Sequence, residues 1–338
     1  MTGKTPSGAS SILADQAGYL IATAAQAPSV HNTQPWRFRV EQSAIELYSD
    51  PRRRLRLDPK SREKLISCGA ALFGLRLAVR SLGYQPVVEL FPDPARPRWL
   101  ARVTAGAPEP VTAKERAMLK ALPRRHTHRG AFAPGPLPAG ILAGLQHDAL
   151  AEQASLDVVQ PGPAYQRLAD IVDVAADRMD LDPRARGELR WWTRPQARAA
   201  RDGVPAHAFP ATAVRRPGRL RQRDFDAGRG LGLLPEEEGP PPAATAVLLT
   251  PGDSRTDWLH AGQALHRLLL HAASRWVFAS LYTQPLENAP IRALIKERLA
   301  LPGEPQMLLQ LGVARTTRTT ARRPPEELIE PWPRYRDT

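Results

Sequence analysis

Two stretches of this chain repeat one pattern, and a repeat constrains the architecture more than any single motif does. The 21 residues that start at Ser61 align without gaps on the 21 that start at Ser254, with eight identities that include Gly69 opposite Gly262. Two amphipathic helices rich in Ala and Leu can also converge by composition, and this alternative stays open. A true repeat predicts two copies of one fold, with about 60 extra residues in the second copy.

Apolar periodicity and turn signals predict the local structure around the repeat. In the first copy we predict a helix over 12–26, antiparallel strands over 36–40 and 45–48, a helix over 61–82 that stops at Gly83, and strands over 87–91 and 99–103. In the second copy we predict strands over 156–159 and 246–250. We take them as the counterparts of the strands over 87–91 and 100–103 in the first copy. These strands occupy different chain positions, so the two copies are not simple duplicates.

Composition excludes several classes of protein. With 338 residues, 42% of them apolar, the chain is long enough for one large or two ordinary folded domains. Its single cysteine, Cys68, excludes an internal disulfide and any Cys-clustered metal site. It contains no P-loop, HExxH or GxSxG motif, no signal peptide and no long apolar span. We therefore expect a cytoplasmic protein that has no metal site and no membrane partner.

The charge is unevenly distributed. Lys and Arg number 47 against 34 acidic residues, for a formal net charge of +13, and a surplus of this kind favours an anionic partner. Residues 184–229 carry twelve arginines against four acids in irregular sequence. We interpret 184–240 as an insertion that forms a lid, with a solvated insertion as the alternative. No recognised nucleic-acid module is present, so we expect no nucleic-acid partner.

A neutral, polar loop over 27–36, with the sequence APSVHNTQPW, separates the first helix from the first strand. Ser29, Asn32 and Gln34 can donate and accept hydrogen bonds without carrying charge, and the prolines stiffen the backbone. Such groups suit the edge of a flat heteroaromatic ring. An ordinary turn would have a similar composition.

A basic segment over 124–132, with the sequence RRHTHRGAF, opens the second half. Arginines beside a threonine hydroxyl can form a phosphate clamp, because one guanidinium can meet two phosphate oxygens at once. A solvated basic turn is the competing interpretation.

Together these segments resemble a known family. APSVHNTQPW resembles the amide loop of nitroreductase-fold flavoproteins, and RRHTHRGAF resembles their phosphate-binding opening. Their order resembles that of the Acg-type nitroreductase-like proteins, as do DWLHAGQALHRLLLHA at 257–272, YTQPLE at 282–287, PQMLLQLG at 305–312 and RRPPEEL at 322–328. The resemblance spans roughly residues 12 to 329.

The resemblance implies an α+β, nitroreductase-like fold with two pseudo-repeated halves fused in one chain, each a mostly antiparallel sheet packed by helices. One chain then imitates the usual homodimer as a monomer, and it could still self-associate. We place a flexible N-terminus at 1–11, the first half at 12–115, the second half at 116–330 with the insertion 184–240 as a lid, and a tail at 331–338.

The resemblance also implies one FMN site between the halves, because each motif occurs once. Several residues are expected to bind the cofactor: Pro28, Ser29, Asn32 and Gln34 at the ring, Arg125, Thr127, Arg129, Arg322 and Arg323 at the phosphate and ribityl chain, and Thr283 and Gln284 in the loop of the second half that approaches the flavin N5 face. Histidine follows the arginine pair where many nitroreductases have serine, and ordinary members lack the basic insertion. No side chain is expected to be catalytic, because the flavin carries the chemistry.

The implied function is an FMN-dependent oxidoreductase. NAD(P)H would reduce the flavin, which would then pass electrons to a small-molecule acceptor such as a nitroaromatic or a quinone. The alternative is a flavin-binding or storage protein in which the lid occludes FMN and little or no reductase activity remains.

Overall fold

The computed structural model describes residues 9–194, 200–209, 219–227, 229, 241–314 and 318–330. The expected tail, most of the expected N-terminus and much of the proposed lid lie outside these residues. The described helices are α1 (Ala9–Asp15), α2 (Ala17–Ala24), α3 (Arg62–Ser81), α4 (Ala113–Ala121), α5 (Ile141–Leu150), α6 (Pro163–Leu181), α7 (Pro183–Trp192), α8 (Arg255–Ser274), α9 (Gln284–Glu287), α10 (Ala289–Arg298) and α11 (Pro325–Leu328). The described strands are β1 (Trp36–Val40), β2 (Ala44–Ser49), β3 (Tyr84–Leu90), β4 (Trp99–Pro108), β5 (Ser155–Val159), β6 (Thr193–Arg194), β7 (Val204–Pro205), β8 (Ala244–Thr250), β9 (Val277–Tyr282) and β10 (Glu304–Val313).

Two four-stranded antiparallel sheets share one topology. The first has the order β1-β2-β4-β3 and the second has the order β5-β8-β10-β9. In the first sheet, the 20-residue helix α3 leads from β2 to the edge strand β3, and β4 then pairs between β2 and β3. In the second sheet, the 20-residue helix α8 leads from β8 to the edge strand β9, and β10 then pairs between β8 and β9. The α+β fold with two repeated halves is therefore confirmed.

This topology corrects the expected pairing of strands between the two copies. The counterparts of β5 and β8 are β1 and β2, whereas β3 and β4 correspond to β9 and β10. Residues 41–43 join β1 to β2 in a short hairpin, whereas residues 160–243 join β5 to β8. The long connection separates β5 from β8 in the sequence, so their correspondence to the β1–β2 hairpin cannot be recognised there.

The repeated helices α3 and α8 pack against each other at the centre of the molecule. A Cβ atom built on Gly262 would lie 1.9 Å from the Ile66 carbonyl oxygen, and one built on Gly69 would lie 2.2 Å from the Leu259 carbonyl oxygen. Only glycine allows the backbones to approach this closely. The identity of Gly69 and Gly262 in the repeat therefore has a packing cause.

Two segments pack across the halves, and one of them is α4, which spans the expected boundary between residues 115 and 116. Helix α4 packs on α8, and α11 packs on α2 and β1. The Glu330 amide donates to the Phe38 carbonyl oxygen at 2.8 Å, and Phe38 forms a parallel bridge with Ile329. The main hydrophobic core accordingly runs through both halves.

Several predicted boundaries differ from the structure, since β3 begins at Tyr84 rather than at 87 and β4 continues to Pro108 rather than ending at 103. The helix expected over 12–26 is divided at Gln16 into α1 and α2, and it ends at Ala24. The strand expected to end at Phe91 ends at Leu90, because Phe91 has a left-handed backbone with a φ of 48°. Among the described residues, no helix is long and apolar enough to cross a membrane.

Candidate functional site

A cavity with an empty volume of about 800 Å³ lies where the two halves and the inserted segment meet. The loop after α2, the start of α3, the segment 127–129, the end of β9 and residues 222–225 each contribute to its wall. Its polar and charged lining residues include Ser29, His31, Glu63, Ser67, Thr127, His128, Arg129, Gln222, Arg223, Ser280, Thr283 and Gln284.

The loop between α2 and β1 has an unusual backbone. His31, Asn32 and Gln34 have φ values of 49°, 56° and 48°, in the left-handed region that side chains other than Gly, Asn and Asp seldom adopt. The Ser29 hydroxyl stabilises the turn by accepting a hydrogen bond from the Gln34 amide at 3.0 Å. Pro28, Ser29 and His31 line the cavity as a result.

Asn32 and Gln34 use their amides on other segments of the chain. Asn32 Nδ2 donates to the carbonyl oxygens of Ala321 at 3.0 Å and Gly203 at 3.1 Å. Gln34 Nε2 donates to the Arg201 carbonyl oxygen at 2.7 Å, and Gln34 Oε1 accepts from the Arg323 amide at 2.8 Å. Of the four residues expected at the ring, the structure brings Pro28 and Ser29 to the cavity. The side-chain amides of Asn32 and Gln34 instead hold the inserted and C-terminal segments against this loop.

Three arginines form a cationic cluster beside the cavity. Burial and the charges of Arg322 and Arg129 lower the pKa of Arg125 to about 9, and burial and Arg129 lower that of Arg322 to about 10. For Arg129, burial together with Arg223 and Arg318 lowers the pKa to about 10. The three form no salt bridge to a carboxylate of the described residues, and the buried Nε atoms of Arg125 and Arg322 have no hydrogen-bond partner there. Buried cations that have no carboxylate partner among the described residues are suited to binding an anion.

His126, the departure from the family motif, stays neutral in this cluster. Burial and the charges of Arg125 and Arg322 lower its pKa to about 3. The Thr320 amide donates to Nδ1 at 3.3 Å, so the proton is on Nε2, which donates to the Pro123 carbonyl oxygen at 3.1 Å. His126 thus fastens the C-terminal segment to the basic segment, and Thr127 beside it lines the cavity.

Arg322 and Arg323 are neighbours in sequence but lie in different environments. Arg322 Nη1 donates to Asn32 Oδ1 at 3.0 Å and belongs to the cationic cluster. Arg323 lines a second cleft with Arg37 and Arg53. Five residues were expected at the phosphate. The structure places Arg323 in the second cleft. The other four lie at or beside the cavity: Arg125, Thr127, Arg129 and Arg322.

The inserted segment is fastened over the cavity by a cluster that we call the latch, made of Arg223, His31, Thr283 and Glu287. Arg223 donates to Glu287 Oε1 at 2.6 Å, to Thr283 Oγ1 at 3.1 Å and to His31 Nε2 at 2.9 Å. Burial and the charges of Arg223 and Arg129 hold the His31 pKa well below its usual value, so the neutral ring accepts this bond. The latch joins both halves through one residue of the insertion.

Phe225 of the insertion covers part of the cavity. The Arg129 guanidinium lies 5.5 Å from the centre of its ring, and Phe209 stacks on it at 5.6 Å. Thr283 and Gln284, expected in the loop that approaches the flavin N5 face, line the same cavity.

Glu63 is a candidate residue that the sequence interpretation missed. Its side chain lines the cavity at 2% exposure, Arg62 pairs with Oε1, and Oε2 is buried without a hydrogen-bond partner. Burial, opposed by Arg62 and reinforced by Glu287 and Asp58, raises its pKa to about 7. A carboxyl group with that pKa can hold or release a proton near neutrality. One signal was available: Arg62 matches Arg255 in the repeat, whereas Glu63 stands opposite Thr256.

The second half has no room for an equivalent loop. Residues 25–35 join α2 to β1, whereas only residues 151–154 join α5 to β5 at the matching place. A four-residue connection is too short to form the turn that carries Ser29 and His31. Within the described residues, no group of three or more His, Cys, Asp or Glu is arranged to hold a metal ion.

Curated relatives match this chain along most of its length. "Putative NAD(P)H nitroreductase Rv3131" of Mycobacterium tuberculosis (strain ATCC 25618 / H37Rv) is 36% identical over 326 residues, which cover 93% of this chain and 90% of that protein. "Putative NAD(P)H nitroreductase acg" of the same strain is 30% identical over 311 residues, which cover 90% of this chain and 92% of that protein. No protein-family model matches the chain.

Solved structures give partial likenesses. A nitroreductase with bound FMN from Desulfitobacterium hafniense is 14% identical, with a TM-score of 0.39, and the match covers 63% of this chain and 97% of that one. The FMN-dependent nitroreductase NfnB from Mycobacterium smegmatis, in complex with NADPH, is 15% identical with a TM-score of 0.36. The match covers 59% of this chain and 88% of that one.

Proposed function

This chain belongs to the NAD(P)H nitroreductase family that includes Acg, and we propose that it is an FMN-dependent oxidoreductase that uses NAD(P)H to reduce nitroaromatic or quinone-like acceptors. The observation that carries the proposal is the cluster of Arg125, Arg129 and Arg322 beside the cavity. It holds buried positive charge that no carboxylate of the described residues offsets.

The residues present fit the phosphate of FMN. The unpartnered Nε atoms of Arg125 and Arg322 are buried donors that lack an acceptor, and a phosphate supplies several. Arg125, Thr127, Arg129 and Arg322 would hold the phosphate and ribityl chain. Pro28 and Ser29 would line one side of the ring, and Thr283 and Gln284 the other. Asn32 and Gln34 would act indirectly, by holding the segments that close the site.

When bound, FMN would supply the redox chemistry by taking a hydride from NAD(P)H and passing electrons to the acceptor. The protein would orient the ring, exclude water through the latch, and offset negative charge with Arg129. Glu63 would hold a proton on the carboxyl group at the cavity wall and exchange it as the acceptor takes up protons. Phe225 would offer an aromatic face to a flat acceptor.

One observation favours the alternative of a flavin-storage protein. Gln222, Arg223 and Phe225 of the insertion line the cavity itself, and the Arg223 guanidinium is bonded to both halves. A segment fastened in this way can exclude NAD(P)H as well as water.

Anaerobic rapid mixing of the FMN-loaded protein with NADPH separates the two functions. The reductase proposal predicts that the flavin absorbance bleaches and returns when a nitroaromatic acceptor is added. A flavin that stays oxidised with both NADPH and NADH, although free dithionite reduces it, would leave storage as the function.

A further inference from the structure

A second cleft, separate from the FMN cavity, lies between the loop after β2 and helix α7. The cleft is open to solvent, and the empty space within it, solvent included, is about 1310 Å³. Its lining residues are Arg37, Asp50, Arg52, Arg53, Arg54, Arg56, Gly187, Glu188, Trp191, Trp192, Asp202 and Arg323. We call it the arginine cleft.

The carboxylates of the arginine cleft are already engaged. Asp50 accepts from Arg37 Nε at 3.0 Å, and Asp202 accepts from Arg53 Nη1 at 2.9 Å. Glu188 accepts from the backbone amide of Arg56. Six arginines against three carboxylates leave a surplus of three positive charges on the lining. Neither Arg54 nor Arg56 forms a side-chain ion pair with the described residues, whereas Glu327, outside the lining, pairs with Arg323, so Arg54 and Arg56 are the cations available to an anion.

Arg323 is the buried anchor of the cleft. Only 7% of it is exposed, and its Nη1 is buried without a hydrogen-bond partner among the described residues. The other donors of the Arg323 guanidinium bind Glu327. Arg323 Nε donates to the Glu327 carboxylate at 3.3 Å, and Arg323 Nη2 donates to the Glu327 carbonyl oxygen at 2.7 Å. A buried guanidinium with an unused donor, facing two further arginines, indicates a built anion site.

Two tryptophans add an aromatic surface to this anion site. Trp192 is buried beneath Arg53, whose guanidinium lies 6.0 Å from the ring centre, while Trp191 is 68% exposed at the rim. An exposed indole beside arginines suits a purine with phosphates, since the ring can stack and each guanidinium can bind two phosphate oxygens. The volume also exceeds what a lone phosphate ion needs.

One loop separates the arginine cleft from the FMN cavity. Ser29 and His31 line the cavity, whereas the Thr33 carbonyl oxygen accepts from Arg53 at 2.7 Å and Gln34 Oε1 accepts from the Arg323 amide. The two clefts therefore share a wall and are shaped by the same turn. A molecule with a redox-active ring at one end and a phosphorylated nucleoside at the other has a chemistry that fits both.

We propose that the arginine cleft binds the 2′-phosphoadenosine end of NADPH and makes this chain prefer NADPH to NADH. The proposal rests on the proposed function for the identity of the donor. The extra phosphate of NADPH is the group that Arg54, Arg56 and the unused Nη1 donor of Arg323 would select.

The test uses the FMN-loaded protein and adenosine 2′,5′-bisphosphate, which carries the distinguishing phosphate but no nicotinamide. Calorimetry and quenching of tryptophan fluorescence measure its binding, with adenosine 5′-monophosphate and inorganic pyrophosphate as comparison ligands. We expect the bisphosphate to bind at least about tenfold more tightly than either. Equal binding of pyrophosphate overturns nucleotide recognition, and much tighter binding of a single-stranded oligonucleotide assigns the cleft to nucleic acid instead.

Variants locate the site. Arg54→Gln combined with Arg56→Gln, and separately Trp191→Ala, should each weaken bisphosphate binding by about tenfold while the flavin spectrum stays unchanged. The matched controls are Arg275→Gln and Trp276→Ala, an exposed arginine and an exposed tryptophan that line neither cleft. Equal losses in cleft and control variants overturn the assignment.

A failure here is distinguishable from a failure of the proposed function. FMN content is measured by absorbance, independently of nucleotide binding. A protein that binds FMN and is reduced equally well by NADPH and NADH keeps the oxidoreductase function and loses the cleft assignment. A protein that binds the bisphosphate but never takes up FMN keeps a nucleotide site and loses the oxidoreductase function.

Discussion

Gly69 of α3 and Gly262 of α8 face each other where the two repeated helices cross, and a Cβ atom on Gly262 would lie 2.8 Å from the Cα atom of Gly69. The same Cβ atom would lie 2.7 Å from the Ala70 amide nitrogen. These neighbours are backbone atoms, which cannot rotate away. The crossing that joins the two halves therefore depends on the absence of two side chains.

Gly262→Ala should separate the helices and lower the free energy of unfolding by about 1–3 kcal/mol or more, as overpacking does. Urea denaturation followed by circular dichroism measures the change. Gly18→Ala is the matched control, because a Cβ atom on this exposed residue of α2 meets nothing within 4 Å. The control should be stabilised by about 0.5–1 kcal/mol through helix propensity. A Gly262→Ala protein as stable as the wild type would contradict the close crossing.

Arg125→Met should affect cofactor binding and apoprotein stability in opposite directions. FMN binding should weaken by about 1.5–3 kcal/mol, because a charge-assisted hydrogen bond is lost. The apoprotein should be as stable as the wild type or more so, since a buried charge that is not offset has been removed. Arg124→Met is the control, because Arg124 packs on Trp276 and donates to the Ala273 carbonyl oxygen. Loss of stability without loss of FMN affinity would show a purely structural role for Arg125.

Glu63 should make stability fall as the pH rises. Its folded pKa of about 7 lies above the ordinary value of 4.5, so between these values the folded state binds more protons than the unfolded state. The resulting penalty is absent below about pH 4.5 and complete above about pH 7, where it amounts to about 2–4 kcal/mol. Glu63→Gln should thus be more stable than the wild type at pH 8 and equal to it near pH 5. Equal pH profiles for the two proteins would exclude a raised pKa at Glu63.

Breaking the latch should speed the release of FMN. Glu287→Gln removes the charged partner of Arg223 from the second half, and a charged hydrogen bond of this kind contributes about 1.5–3 kcal/mol. Recovery of flavin fluorescence after dilution should be about tenfold faster or more. Arg221→Gln is the control within the same segment, because its partners among the described residues are the exposed Asp177 and the half-buried Asp180, away from the latch. Unchanged release in Glu287→Gln would mean that the latch does not gate the site.

Local patterns predicted the elements that local physics determines. The hairpin of β1 and β2 follows from alternation, and α3 follows from a long apolar period ending at Gly83, which has a φ of 83°. The match of Gly69 with Gly262 likewise indicated the repeat.

Placement across the chain was beyond such patterns. The sequence of the amide loop does not show that Asn32 and Gln34 turn toward residues 201–203 and 321–323, because these hydrogen bonds join positions far apart in the chain. Arg322 and Arg323 look alike in sequence, yet the structure separates them into two sites. The raised pKa of Glu63 arises from burial and from the charges of Glu287 and Asp58, and no spacing in the sequence reveals those surroundings.

The most direct test of the account is a titration of the apoprotein with FMN, read by flavin fluorescence and calorimetry. We expect one FMN bound per chain, with affinity that falls in Arg125→Met and is unchanged in Arg124→Met. Two equivalent sites per chain, or no binding at all, would contradict a single cofactor site held by the buried arginines.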